Sequence, residues 1–238
     1  AKKHVFIEKP LASNISDGEE IIKTAKQNNV CVMVGHLLHY HPAFIKVVEL
    51  IKMNKLGKVN YISSTRKSFG KIRKFEDVVW SFAPHDISMI LKLAKKFPTS
   101  IKSSTSSFIQ DDIADVASIY LDFEDNLSAE INLSWIHPEK QHKLIVIGNR
   151  GMLIFNDTKE WKEKLSFFEY EVVDKNESIE NIKKDVKFIE IQNEEPLKRE
   201  CIHFLEVLRG QSPNTDGKEG LDVIKVISQV SSEANFKN

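Results

Sequence analysis

The chain has 238 residues, 41% of them hydrophobic and 29% charged, which is ordinary for a globular protein and leaves enough apolar material for a real core. Its 34 basic residues balance its 34 acidic ones and the lysines are scattered, so charge offers no argument for a nucleic-acid or membrane partner. Two distant cysteines, Cys31 and Cys201, make no disulfide framework, no apolar run approaches the ~20 residues of a membrane helix, and no signal-peptide core opens the sequence; a cytoplasmic location is expected.

Val5-Phe6-Ile7 reads as a short buried strand that runs directly into Glu8-Lys9-Pro10. Ser16 with Glu19 has the pattern of a capping box, and Ile21, Ile22 and Ala25 give the helix that follows one apolar face as far as Asn28-Asn29. Val30 to Val34, with Cys31 as a small buried hydrophobe, is the next strand and ends at Gly35. Strand, helix and strand make a βαβ unit, so the beginning of the chain reads as the last piece of a doubly wound sheet whose earlier strands are missing.

A loop with His36, His39, Tyr40 and His41 follows, then a helix over about 43–53 closed by Gly57. Val59 to Ser68 alternates as a strand and carries Arg66. Pro84 suits the first turn of a further helix, which places His85 and Asp86 at a helix start and runs to about Lys96. From about Ser100 to Gln192 the expectation is strands, at 100–108, 115–123, 127–136, 142–148, 151–156, 164–169 and 186–191, joined by short turns into an antiparallel sheet. Asp174 to Asp185 is charged and reads as a mobile loop, and two helices, over 196–208 and from Gly220 to about Glu233, complete the chain.

Several blocks of this sequence, in this order, carry a family pattern. They are Glu8-Lys9-Pro10, Gly35-His36 through Tyr40-His41-Pro42-Ala43, Lys55-Leu56-Gly57-Lys58-Val59 and Ala83-Pro84-His85-Asp86-Ile87. Ser134-Trp135 with Pro138 and Lys140, Gly148-Asn149-Arg150-Gly151, Glu200-Cys201-Ile202-His203-Phe204 and Thr215 to Gly220 continue it. Together they resemble the glucose–fructose oxidoreductase / inositol dehydrogenase / rhizopine-catabolism (Gfo/Idh/MocA) family over essentially the whole chain. The likeness is greatest to the branch acting on nucleotide-linked sugars at the 3-hydroxyl.

The resemblance implies an α/β fold. Residues 1–36 would be the C-terminal remnant of a Rossmann domain, and 37–238 an α+β substrate and oligomerisation domain with a large, mostly antiparallel sheet. It also implies NAD or NADP as cofactor, a sugar or nucleotide-sugar substrate, and a homo-oligomer paired through the open face of the sheet. One departure is large. None of the nine glycines stands in a Gly-x-Gly-x-x-Gly, so the loop that would hold the dinucleotide phosphates is missing, and the chain reads as truncated or as part of a longer one. The alternative function is a non-catalytic sugar-binding or oligomeric remnant of the family.

The chemistry implied is hydride transfer between a carbinol carbon and a nicotinamide, with the protein handling the proton. Lys9, at the end of a buried strand, is the first catalytic candidate, because desolvation lowers an amine's pKa; the competing reading is a turn-capping Lys. His85 is the second, since a helix N-terminus disfavours imidazolium and a general base must be neutral; the competing reading is a packing contact. Many relatives place an Asp four residues before this His, and here that position is Ser81. Glu8, Lys9, Pro10 and His36 are expected on the cofactor side, with Pro10 in a strained or cis turn. Tyr40, Arg66, Asp86 and Lys140 are expected on the substrate side, Arg66 and Lys140 facing a carboxylate or diphosphate or else standing as solvated sheet residues. The three loop histidines lack a carboxylate or Cys at ligand spacing, so no metal is expected. Trp135 reads as core or subunit interface.

Overall fold

The computed structural model describes residues 2–174 and 178–234. β1 (Val5–Glu8) and β2 (Val32–Gly35) pair in parallel, in register from Val5 with Val32 to Glu8 with Gly35, and α1 (Ile15–Gln27) makes the crossover that parallel strands require. The first donor of α1 is satisfied by Asn14, whose side chain accepts from the Asp17 N–H at 2.9 Å, in place of the expected Ser16–Glu19 box. The register has a consequence for chemistry: Lys9 and His36 leave neighbouring strands at the same end.

A 3-10 turn (Leu37–Tyr40) leads into α2 (Pro42–Lys52), then β3 (Val59–Phe69) and α3 (Val78–Ala94). The strands that follow are β4 (Ser100–Ser106), β5 (Val116–Asp122), β6 (Ser128–Ser134), β7 (Ile136–Gly148), β8 (Gly151–Asn156), β9 (Leu165–Asp174), β10 (Ile179–Lys183) and β11 (Lys187–Phe188), with α4 (Pro196–Val207) and α5 (Gly217–Ala234) last. The large sheet runs β10-β9-β8-β7-β3-β6-β5-β4, with β11 beside β9. Among the described residues its one parallel pairing is β3 with β6.

Four sequence expectations change. The expected loop over 174–185 contains β10, which pairs antiparallel with β9, while residues 175–177 lie outside the described residues. β7 begins earlier than the alternation indicated. Its ladder with β3 shifts register between the Lys67–Gln141 and Phe69–Ile136 pairs, and Pro138, which has no N–H to give a ladder, sits in that irregularity. α3 begins at Val78, capped by Asp77, whose side chain accepts from the Trp80 N–H, so Pro84 and His85 lie inside the helix and not in its first turn. Cys31, expected to be buried, is partly exposed.

One face of the large sheet is covered by α3 and α5, where Ile62, Ile119, Ile131 and Val146 meet Ile87, Ile90 and Ile227. α5 also serves the first unit, since Leu221 and Ile224 pack with Leu11, Ala25 and Val34. The chain entering α5 is tied to β2: the Val34 N–H donates to the Thr215 carbonyl at 2.8 Å and the Thr215 hydroxyl donates to the Val34 carbonyl at 2.7 Å. Two of the sequence blocks lock to one another. Gly57 has φ of +70° and Gly148 lies so close to Leu56 that a Cβ there would fall 2.2 Å from its carbonyl oxygen. The Asn149 side chain accepts from the Lys58 N–H at 2.9 Å across the same seam. These glycines serve backbone approach and not chemistry.

Candidate active site

Lys9 stands at the C-terminal end of β1, the end at which parallel sheets gather ligands. Its peptide bond to Pro10 is cis. The amine donates to the backbone carbonyl of Ser81 in α3 at 2.8 Å. The position where an Asp was expected therefore contributes through its main chain. Burial pushes the Lys9 pKa below the ordinary 10.5; Arg73 and Arg66 add to that shift, and Glu76 and Glu8 oppose it.

His85 lies one helical turn beyond Ser81. Burial drives its pKa well below 6.5, and the charges of Arg66 and Lys9, followed by His36 and His142, push the same way. The imidazole is thus neutral because of desolvation and cationic neighbours; the helix-terminus explanation fails because the residue is too far inside α3. The His85 Nδ1 is buried and has no hydrogen-bond partner. His36, 1% exposed, is bonded at Nδ1 to Glu219 Oε2 at 2.6 Å, while its Nε2 is likewise buried and unpartnered. Behind it, His39 is held neutral, with burial lowering its pKa to about 4, and its Nε2 meets the Ser88 hydroxyl at 2.5 Å.

Arg66 and Asp86 come together, but with one another: Arg66 Nε donates to Asp86 Oδ2 at 2.6 Å and Nη2 to Oδ1 at 3.3 Å, and the Ser64 hydroxyl donates to Oδ1 at 2.5 Å. Asp86 is fully buried, so the pair holds β3 against α3, with the Arg66 charge near enough to bear on His85. His142 pairs with Arg66 across β7, and its pKa falls to about 4 through burial and then through Arg66 and Lys140. Lys140 itself is exposed on the irregular part of β7. The structure does not bring Tyr40 to Lys9. Its ring packs with Met33 and Val207, its hydroxyl lies 3.4 Å from that of Thr215, and burial raises its pKa to about 12. Trp135 is fully buried and bonded to Asp115, hence core.

Glu8 adjoins a carboxylate that the pattern did not single out. Glu200 of α4 is 1% exposed, its Oε1 has no partner, and burial followed by the charge of Glu8 raises its pKa to about 7. Both Glu200 and Glu219 lie in sequence blocks noted above, but their relation to Glu8 and His36 depends on α4 and α5 folding back onto the first unit. For a dinucleotide, the strand-end set fits the nicotinamide portion: it offers a Lys with donors to spare and two buried, unpartnered imidazole nitrogens. No Gly-x-Gly-x-x-Gly in the chain offers a cradle for the phosphates.

Comparison with known proteins gives a consistent picture. A model of the "GFO/IDH/MocA C-terminal domain" matches residues 44–154, and one of an "oxidoreductase family, NAD-binding Rossmann fold" matches 1–36. Myo-inositol 2-dehydrogenase of Thermotoga maritima is 23% identical over 172 residues, covering 67% of this chain and 51% of that protein. 2,7-anhydro-N-acetylneuraminate hydratase of Mediterraneibacter gnavus is 23% identical over 164 residues, 63% of this chain and 44% of that one. The matches span about half the length of these curated relatives. Among solved structures, UDP-N-acetylglucosamine 3-dehydrogenase of Acidithiobacillus ferrooxidans superposes with a TM-score of 0.80 at 18% identity, over 98% of this chain and 72% of that one.

Proposed function

The chain belongs to the GFO/IDH/MocA family of oxidoreductases, and from that premise we propose that it is the substrate-side and catalytic portion of an NAD(P)-dependent sugar dehydrogenase. Residues 1–36 bring Lys9 and the nicotinamide side, and 37–238 bring the substrate surface. The bound cofactor supplies the hydride acceptor. Removing hydride from a carbinol carbon requires that the hydroxyl proton leave as well. Lys9 takes that proton at Nζ, which its lowered pKa equips it to do, and neutral His85 accepts a hydrogen bond at Nδ1 beside it. Arg66, steadied by Asp86, and exposed Lys140 face the anionic part of the substrate. A nucleotide-linked sugar is favoured by the name of the A. ferrooxidans neighbour, and the curated relatives carry names of a cyclitol and a sialic-acid derivative.

The observation that carries this reading is the convergence of two bases, Lys9 and His85, both driven toward their uncharged forms at the C-terminal end of a parallel strand. The test is a set of measurements on the protein. NAD(H) titration followed by fluorescence should give saturable binding, and UDP-N-acetylglucosamine with NAD+ should yield reduced cofactor that Lys9→Met abolishes. No binding at millimolar cofactor favours the non-catalytic reading. The outward sheet face, with Ser63 bonded to Glu130 and Tyr120 half exposed, is the proposed homo-oligomer surface, and a monomer in light scattering counts against it. Among the described residues no helix is long and apolar enough to cross a membrane.

A further inference from the structure

His36 is held by a residue from the far end of the chain. The Thr215 bonds to Val34 fix the start of α5 on β2, and the Glu219 N–H is itself bound by Asp216 Oδ1 at 2.8 Å, so the Glu219 side chain meets His36 on a backbone already immobilised. Burial pushes the Glu219 carboxyl up, but the interaction with His36, hydrogen bond included, leads the effects that outweigh it and hold the carboxyl below the ordinary carboxylate range. An ionised carboxylate can only accept, and at 2.6 Å the His36 Nδ1 must therefore be the donor. That leaves Nε2 without a proton of its own in the neutral ring. Buried polar atoms are usually bonded, whereas here Nε2 is solvent-free and unpartnered, as are Nδ1 of His39 and of His85.

We propose that Glu219 is a positioning residue: by accepting the Nδ1–H of His36 it fixes the tautomer in which Nε2 is a bare acceptor, and that nitrogen receives a hydrogen bond from a hydroxyl of the substrate. The proposal rests on the sugar-dehydrogenase reading for the identity of the hydroxyl, and on this chain alone for the tautomer. The groups facing His36 are Glu219 of α5, His39 of its own turn and, felt through its charge, His85 of α3.

Isotope-labelled histidine and long-range proton–nitrogen spectra at neutral pH read the tautomer directly, without cofactor or substrate. The expected result is a His36 protonated at Nδ1 only. Glu219→Gln keeps this state, because its amide oxygen still accepts, and Glu219→Ala shifts the ring toward the Nε2–H form. In the dehydrogenase assay Glu219→Ala should lower kcat/KM about tenfold or more, while Glu219→Gln stays within about threefold of the parent. A His36 protonated at Nε2 in the parent protein, or a tautomer unmoved by Glu219→Ala, overturns the proposal. Absence of any dehydrogenase activity counts against the functional reading instead, and the spectra separate the two failures.

Discussion

Asp115 and the strand end around Lys9 both hold buried polar atoms, with opposite hydrogen-bond accounts. Asp115 is fully buried, yet Oδ2 accepts from the Phe108 and Ile109 N–H groups at 2.6 and 2.9 Å, Oδ1 accepts from the Trp135 indole, and its own N–H donates to the Ser106 carbonyl at 2.9 Å. Every strong group there is answered within the protein. Around that strand end, His36 Nε2, His39 Nδ1, His85 Nδ1, Glu200 Oε1 and Glu219 Oε1 are as thoroughly removed from water and have no hydrogen-bond partner. A folded protein leaves few such groups, since each costs about 1–3 kcal/mol. Burial alone therefore does not distinguish structure from function here; completeness of bonding does. The closed network holds a loop against a sheet, and the open one retains capacity for a molecule that is not part of the chain.

The sharpest way to break this contrast is Lys9→Met. If Lys9 is the site of proton transfer, Lys9→Met should lower turnover roughly 10³-fold, with the urea midpoint nearly unchanged because the amine's one bond among the described residues is to a helix carbonyl. A variant that keeps its rate would remove the site. Next in size is Asp115→Ala, which strands two backbone donors and an indole N–H. Unfolding should cost roughly 4 kcal/mol less than for the parent, as read from the urea transition, while activity per folded molecule is retained. A loss of activity without a loss of stability would place Asp115 on the wrong side of the comparison.

What could be read in advance followed local rules. The apolar run of β1 ending in Glu8-Lys9-Pro10, the alternation of β5, β6 and β8, and the φ-positive Gly57 are written in neighbouring residues. β10 was hidden because its charged residues lack the alternation of a half-buried strand and the pairing with β9 supplies its only signal. The place of His85 was misjudged because Pro84 suits a first turn so well, whereas α3 is nucleated earlier by Asp77 and tolerates the proline inside. Arg66 and Asp86 were both legible as charged groups near the site, but their engagement with one another depends on β3 meeting α3. Glu219 and Glu200 could not be placed at all, since long-range return of α5 and α4 decides what they touch.

Glu200 gives the contrast a pH signature. Its carboxyl is raised from 4.5 to about 7, by burial first and by Glu8 second, and no cation is bonded to it. Between those two values the folded protein holds a proton that the unfolded chain has released. The Glu200 contribution to stability therefore falls as pH rises through that interval and levels off above about pH 7, a loss of roughly 3 kcal/mol, while buried His39 and His142, held near 4, contribute stability that rises over the same range. Glu200→Gln keeps the shape and carries no proton to lose, so it lacks this falling contribution and its stability should exceed that of the parent above pH 7. The difference should be greatest in mildly alkaline buffer and should vanish near pH 4.5. Urea unfolding of the two proteins across this range decides the matter. Parallel pH profiles would mean that Glu200 finds a partner in solution, and that its open oxygen does not belong with those of His36 and His85. A difference confined to Glu200 would show that α4 gives up stability for a carboxylate set against Glu8, one residue from Lys9.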